Sequence, residues 1–118
     1  MSVEIFPEFS AAAQEKLRLA GISNVVLRAG DGARAQAAVL GAGGFDVIVL
    51  TGSTPVLPGA FLDALNPRGR LFAVVGDAPV MKAVLMAKTP TGSIVSTEVF
   101  ETQLAVLINA EQPERFKF

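Results

Sequence analysis

The sequence predicts an α/β fold with a mostly parallel sheet. Two apolar runs, residues 47–50 and 71–75, lie on either side of an amphipathic stretch at residues 56–65. Continuous apolar strands that are joined through a helix are typical of parallel strands covered on both faces. Ligands bind beyond the carboxyl ends of such strands. A polar loop is expected at residues 51–55, directly after the first of these runs, and is therefore the first candidate for a functional site.

The segments before this unit alternate in the same way. In chain order they predict a strand at 2–6 that Pro7 ends, a helix from Glu8 or Ser10 to residue 20, a strand at 24–28, a loop at 29–32 and a helix at 33–40. Gly21 suits the position just past the first helix. Residues 66–69, Asn-Pro-Arg-Gly, predict a turn before the second apolar strand.

The pattern changes after residue 76, where the sequence predicts a closing β-hairpin. Strands at 80–88 and 92–107 are expected to meet at residues 89–92, where proline and glycine suit a short turn. A helix at 81–84 is the alternative that propensity leaves open. The hairpin adds an antiparallel strand at one edge of the sheet, and Phe116 and Phe118 are expected to anchor the polar tail. Since no linker or repeat interrupts the chain, residues 1–118 predict a single domain.

Composition narrows the chemistry. The chain has 118 residues, 51% of them hydrophobic, and a net charge of −1, with no Cys and no His. The lack of His and Cys excludes the usual general base, a thiol nucleophile and most zinc sites, so no metal site is predicted. The scattered basic residues and short apolar runs predict neither a nucleic-acid partner nor a membrane partner. We expect a cytoplasmic protein that works by binding and positioning.

Polar residues follow three predicted strands at their carboxyl ends. Glu4, Asp31 and Thr51 are expected on one edge of the sheet because parallel strands point the same way, and an acid there can bind a ribose diol. Each also has a plainer interpretation. Glu4 can be a solvated carboxylate, Asp31 a turn former or helix cap, and residues 51–54 a cap for the next helix. Residues 41–44 lack the Lys-Ser/Thr of a phosphate loop and predict a plain loop.

Four motifs stand out along the chain: VEIFPE at residues 3–8, NV followed by GDG at 24–32, FDVIVLTGS at 45–53 and LNPRGRL at 65–71. Together they resemble the Rossmann-like S-adenosylmethionine-dependent methyltransferases, and within them the protein-L-isoaspartate O-methyltransferase family. VEIFPE is similar to the family's second-strand motif, and NV followed by GDG to its third strand. FDVIVLTGS and LNPRGRL resemble the fourth strand and the approach to the fifth. The similarity covers most of residues 2–76.

The resemblance implies an enzyme of protein repair that transfers a methyl group from S-adenosylmethionine to an isoaspartyl carboxylate in a protein or peptide. It implies that Glu4, with Ile5 and Phe6, binds the ribose and that Asp31 lies near the adenine. Gly30 and Gly32 would allow close backbone approach. Thr51, Gly52 and Ser53 would line the methyl-transfer side, with Thr51 also near the cofactor.

Two departures from the family pattern shape these expectations. The glycine-rich first motif with its strand does not occur in residues 1–118, and neither does the N-terminal segment that in the family helps to hold the isoaspartyl substrate. We therefore expect a partial domain with the first strand missing. The strand edges left open predict direct pairing, a homodimer in which a second copy fills the gap, or a missing segment that the intact protein supplies. Two other function classes stay open, a non-catalytic α/β binding or oligomerisation module and a dinucleotide-binding fragment.

Overall fold

A computed structural model describes residues 1–34 and 37–114. Its helices and strands are, in chain order, β1 (Ser2–Glu4), α1 (Pro7–Leu19), β2 (Leu27–Ala29), α2 (Ala37–Leu40), β3 (Phe45–Thr54), α3 (Gly59–Asp63), β4 (Leu65–Asp77), β5 (Val80–Lys88) and β6 (Ile94–Glu101). The predicted α/β class is confirmed. The chain divides into two compact units, Met1–Gly32 and Ala33–Phe118, called here the first and second unit.

The strands form two sheets. β1 and β2 make a parallel two-stranded sheet in the first unit, and the second unit has a four-stranded sheet in the order β3-β4-β5-β6. β3 and β4 are parallel, whereas β4–β5 and β5–β6 are antiparallel. The sequence predicted one sheet, and that expectation is corrected to two. The single domain stays a prediction.

Helix α1 has clear start and stop signals in the sequence. Pro7 begins this helix rather than ending a strand that reaches residue 6, because the first helical position needs no N–H donor. At the other end, Gly21 has a φ of 70°. Its N–H bonds the Arg18 carbonyl, and the Ile22 N–H bonds the Leu17 carbonyl at 2.9 Å. This pattern is a Schellman motif, so the predicted role of Gly21 is confirmed.

The neighbouring elements are shorter than predicted. β1 ends at Glu4, and β2 begins only at Leu27 and includes Ala29, which was expected in a loop. The helix predicted at 33–40 is observed over Ala37–Leu40, while residues 33–34 form a turn and residues 35–36 lie outside the described part of the chain.

Strand β3 is longer than predicted and corrects the expected loop at residues 51–55. It continues through Thr54, so Thr51, Gly52 and Ser53 belong to the strand. The helix that follows is shorter than the predicted 56–65. It begins at Gly59, with Pro58 in an extended conformation (φ −59°, ψ 129°) at its cap. A residue before proline is disfavoured in the helical region, which explains why Leu57 is not in the helix.

Residues 66–69 form a bulge within β4 rather than a separate turn before it. Phe45 pairs with Leu65, but Val47 pairs with Arg70, so the chain makes an excursion between the two pairs. Arg68 has a φ of 67° within this excursion. The turn residues predicted here therefore have a local role, but inside a strand that runs to Asp77.

The predicted closing hairpin is confirmed, with two changes. β5 has the predicted bounds, so the helical alternative at 81–84 is wrong, and Gly92 N–H bonds the Thr89 carbonyl across the turn. β4 and β5 are also antiparallel, because the connection at Ala78-Pro79 is too short for a crossover. β6 ends at Glu101 instead of residue 107. The expected anchors Phe116 and Phe118 lie outside the described residues.

The main core lies in the second unit, where α3 packs on one face of the sheet. Its buried members are Phe61, Leu65, Leu71, Ala73 and Val84. A smaller cluster of Val74, Met81 and Ala83 packs with Phe72. Both clusters combine residues from neighbouring strands, so the sheet is the scaffold that positions the end of β3. In the described part of the chain, no helix has the length and apolar character that crossing a membrane requires.

Candidate functional site

Two carboxylates lie at the ends of neighbouring parallel strands in the first unit. Glu4 is the last residue of β1 and pairs with Ala29, the last residue of β2. The Gly30 N–H continues this pairing with a 2.9 Å hydrogen bond to the Glu4 carbonyl, and Asp31 follows directly. The predicted proximity of Glu4 and the loop with Asp31 is therefore present in the structure. It arises because a parallel register brings both carboxyl ends to one edge.

The Glu4 side chain is half-buried and oriented by its own turn. Its Oε1 accepts a 3.2 Å hydrogen bond from the Phe6 N–H. Since an ionised carboxylate has about four acceptor positions, this bond leaves capacity for further donors such as a pair of hydroxyls. The neighbouring Ile5 is half-buried and Phe6 is 40% exposed. The Phe6 ring packs edge-on against Phe9 with centroids 5.3 Å apart, so it offers an apolar surface beside the acid.

The loop around Asp31 has an open backbone. Gly30, Asp31 and Gly32 are all half-buried. A Cβ built at Gly30 would meet no atom within 4 Å, and Gly30 is not among the glycines with a positive φ. Neither backbone conformation nor packing against the described atoms requires glycine at this position. The loop thus presents main chain that another molecule can approach closely.

The second group of predicted site residues lies at the carboxyl end of β3, in the second unit. Thr51 is exposed, Gly52 is half-buried, and Ser53 and Thr54 are both 0% exposed. The two buried hydroxyls have structural partners. Ser53 Oγ donates to the Leu104 carbonyl at 2.8 Å, and Thr54 Oγ1 donates to the Val56 carbonyl at 2.6 Å. Of these three hydroxyls, Thr51's is the accessible one.

Gly52 has a packing reason that the sequence did not show. A Cβ at this position would come within 2.6 Å of Leu107 Cδ2 and within 3.2 Å of the Ala105 carbonyl oxygen. The residue therefore lets residues 105–107 approach the strand. Sequence reasoning assigned residues 92–107 to one strand and so missed this contact. The available signal was a glycine in the middle of an otherwise continuous strand, which often marks close backbone approach.

A shifted pKa is found on the surface of α1 rather than at the strand ends. The Arg18 guanidinium donates to both carboxylate oxygens of Glu15, at 3.0 and 2.7 Å. These bonds lower the pKa of the Glu15 carboxyl and raise that of Arg18. Both side chains are solvent-exposed, so the pair is a surface feature and carries no argument for catalysis.

Comparison with known proteins decides the family. The model of the protein-L-isoaspartate(D-aspartate) O-methyltransferase family matches residues 1–112. The chain belongs to this family. A protein-L-isoaspartate O-methyltransferase 1 from Anaeromyxobacter sp. (strain Fw109-5) is 36% identical over 113 residues, which cover 92% of this chain and 51% of that protein. Another from Syntrophobacter fumaroxidans is 34% identical over 94 residues, which cover 77% of this chain and 41% of that protein.

Solved structures agree on the fold. One protein-L-isoaspartate O-methyltransferase superposes with a TM-score of 0.74 at 24% identity, over 89% of this chain and 32% of that chain. A second, described as a putative member from Plasmodium falciparum in complex with S-adenosyl-L-homocysteine, has a TM-score of 0.69 at 20% identity, over 89% of this chain and 50% of that one. The fold is therefore that of the Rossmann-like methyltransferases. The chain spans about two fifths to one half of the length of these curated relatives.

Proposed function

We propose that this protein transfers a methyl group from S-adenosylmethionine to an isoaspartyl carboxylate of a protein or peptide. The observation that carries the proposal is the juxtaposition of Glu4 and the Asp31 loop, joined by the 2.9 Å bond from Gly30 to Glu4, in a chain of this family. Acids at adjacent strand ends are the arrangement that binds the ribose and base of a nucleoside in open α/β sheets.

The described residues fit the nucleoside part of this cofactor. Glu4 accepts hydrogen bonds from the two ribose hydroxyls while keeping its bond to the Phe6 N–H. The open backbone at Gly30 lets the adenine approach closely, and Asp31 accepts from its amino group. Ile5 and Phe6 supply the apolar side of the pocket. A purine needs both polar edge contacts and apolar faces, and this edge of the first unit combines them.

On the side that binds the methyl acceptor, called here the acceptor side, Thr51, Gly52 and Ser53 of β3 each have a modest role. Thr51 has the exposed hydroxyl and can donate to an acceptor carboxylate, whereas Gly52 and Ser53 hold the neighbouring chain in place. S-adenosylmethionine supplies an activated methyl group when it is bound. An isoaspartyl carboxylate is ionised near neutral pH, so the protein has to align it and exclude water rather than remove a proton. The lack of His and Cys agrees with that mode of action.

The test combines ligand binding with an activity measurement on the protein expressed from its full reading frame. We expect S-adenosylhomocysteine binding in calorimetry, and methylation of an isoaspartyl peptide but not of the same peptide with ordinary aspartate. Glu4→Gln is expected to weaken the binding of S-adenosylhomocysteine. Glu8→Gln is its matched control, because Glu8 is an exposed acid in the first turn of α1. The proposal would be refuted if the wild-type protein showed no binding of S-adenosylhomocysteine and no methylation of the isoaspartyl peptide.

A second candidate function is a non-catalytic binding or oligomerisation module, and the exposed side chains of β3 favour it. Val47 and Val49 are 57% and 55% exposed on a strand of the main sheet. Such apolar surface suits a homodimer in which a second copy covers it. A concentration-dependent sedimentation coefficient in a protein without cofactor affinity would select this candidate. Competition by NAD in the same calorimetry would instead indicate a dinucleotide-binding fragment.

The cytoplasmic location and the absence of nucleic-acid and membrane partners stay predictions.

A further inference from the structure

Residues 104–110, called here the return segment, bring the chain from β6 back to β3. The segment runs parallel to β3 and forms a bridge in which Val106 lies opposite Ser53. It thus adds a short extra strand at the carboxyl end of β3, next to the position where the proposed acceptor side lies. This placement results from the chain leaving the hairpin at Glu101, well before the predicted end at residue 107.

Ser53 holds the return segment by three hydrogen bonds. Its N–H donates to the Ala105 carbonyl, its own carbonyl accepts from the Leu107 N–H, and each of these bonds is 2.8 Å long. The hydroxyl adds a third bond of 2.8 Å to the Leu104 carbonyl. Ser53 is 0% exposed, so water does not compete for these groups. Any residue can make the two backbone bonds, whereas the third requires a hydroxyl at this position.

The return segment can pack this closely against β3 only because residue 52 is glycine. Leu107 packs where a Cβ of residue 52 would lie, which fixes how deeply the segment sits. Alternate residues of the segment, Leu104, Val106 and Ile108, remain 38%, 45% and 48% exposed. Leu107 is half-buried against Gly52, so this residue seats the segment while an apolar row faces outward. An outward apolar row beside Thr51 is suited to lie along the acceptor chain.

The far end of the return segment is held by a different part of the chain. Arg34 Nε donates to the Asn109 carbonyl at 2.9 Å, and Asn109 turns with a φ of 66°. Arg34 follows Asp31 by three residues in the sequence. The segment is thus fixed at one end by β3 and at the other by Arg34, and all of these residues belong to the second unit.

From these contacts we infer that Ser53 is a positioning residue for the acceptor substrate. Its hydroxyl fixes the return segment at the end of β3, and the segment in turn holds the acceptor peptide beside the exposed Thr51. This role rests on the proposed function. Ser53 itself does not touch the reacting atoms, since its hydroxyl is committed to Leu104.

Ser53→Ala tests this role, with Ser96→Ala on the exposed edge strand β6 as the matched control. Hydrogen exchange measures how firmly the return segment is held against β3, independently of any activity. We expect faster exchange at the Leu107 amide in Ser53→Ala and unchanged exchange at Ala73 and Ala83 in the core. Unchanged exchange at Leu107 would overturn the inference.

Kinetics with an isoaspartyl peptide separate positioning from simple stability. We expect Ser53→Ala to raise the peptide KM by roughly 3- to 10-fold, the effect of one hydrogen bond, with S-adenosylhomocysteine affinity within about twofold of wild type. An unchanged peptide KM in an active protein overturns the positioning role and leaves the proposed function intact. A wild-type protein without methyl transfer overturns both. Gly52→Ala, which displaces Leu107 and leaves the hydroxyl in place, should raise the same KM.

Discussion

The Gly30 N–H donates a 2.9 Å hydrogen bond to the Glu4 carbonyl, across the ends of two parallel strands. This bond ties the backbone that carries one acid to the loop that carries the next. It also holds Gly30 at a position where a Cβ atom would have no other atom within 4 Å. An acid pair and an open backbone at one strand edge are the elements of a nucleoside site, and they lie within the first 32 residues.

The open space at Gly30 makes Gly30→Ala a selective test of ligand approach. We expect unchanged thermal unfolding, because the added methyl group meets no atom within 4 Å, and at least a fivefold loss of S-adenosylhomocysteine affinity. Gly59→Ala is the control, since that glycine also has open space around its Cβ position. Equal affinity of Gly30→Ala and wild type in calorimetry would show that the cofactor does not approach this backbone.

Gly52→Ala should instead destabilise the fold. The new methyl group would overlap Leu107, and overpacking of this kind costs about 1–3 kcal/mol. Shortening the opposing side chain should relieve the overlap, so Gly52→Ala combined with Leu107→Ala is expected to cost less than the sum of the two single variants. Urea unfolding of all four proteins measures the coupling. Strict additivity would mean that the two positions do not touch.

Lys88 is expected to contribute more to the stability of the fold than Lys82, which forms a surface ion pair with Glu98. Its Nζ donates to the carbonyls of Leu62 and Leu65 at 3.2 and 3.0 Å, at the end of α3. Loss of these charge-assisted bonds in Lys88→Met should cost about 1–3 kcal/mol. Lys82, half-buried and paired with an exposed Glu98, gives the control Lys82→Met, which should cost less than about 1 kcal/mol. Equal costs in urea unfolding would contradict the role of Lys88.

The Glu15–Arg18 pair predicts a small, salt-sensitive dependence of stability on pH. Because Arg18 lowers the pKa of Glu15 in the folded protein, the pair stabilises the fold above the unfolded value of 4.5. That contribution is lost as the pH falls through the lower, folded value. The stability difference between wild type and Glu15→Gln should therefore be present at neutral pH and vanish in acid or in high salt. A stability difference that grows as the pH falls would contradict this prediction.

The sequence predicted those features that depend on local chemistry. Gly21 at the end of α1, the bounds of β5 and the glycine in the hairpin turn follow from backbone preferences of single residues. Glu4 and Asp31 were found because parallel strands bring their carboxyl ends together. The role of each acid toward a ligand stays a prediction.

The wrong expectations depend on contacts between residues far apart in sequence. Ser53 and Thr54 look like loop or cap residues, yet they extend β3 because they pair with Val74 and Val75 of β4. The Leu104 partner of Ser53 is 51 residues away, which no local pattern reveals. Likewise, the apolar residues 104–108 fit a strand of the hairpin, but their side-by-side placement with β3 is set by the glycine at 52.

The central claim is that Glu4 holds the ribose of S-adenosylmethionine, and calorimetry with S-adenosylhomocysteine tests it most directly. The comparison uses wild type, Glu4→Gln and the exposed control Glu8→Gln, all expressed from the full reading frame. We predict that Glu4→Gln weakens binding by roughly 10- to 100-fold, as expected when hydrogen bonds to a charged group are lost, while Glu8→Gln binds like wild type. Equal affinity of Glu4→Gln and wild type would contradict it.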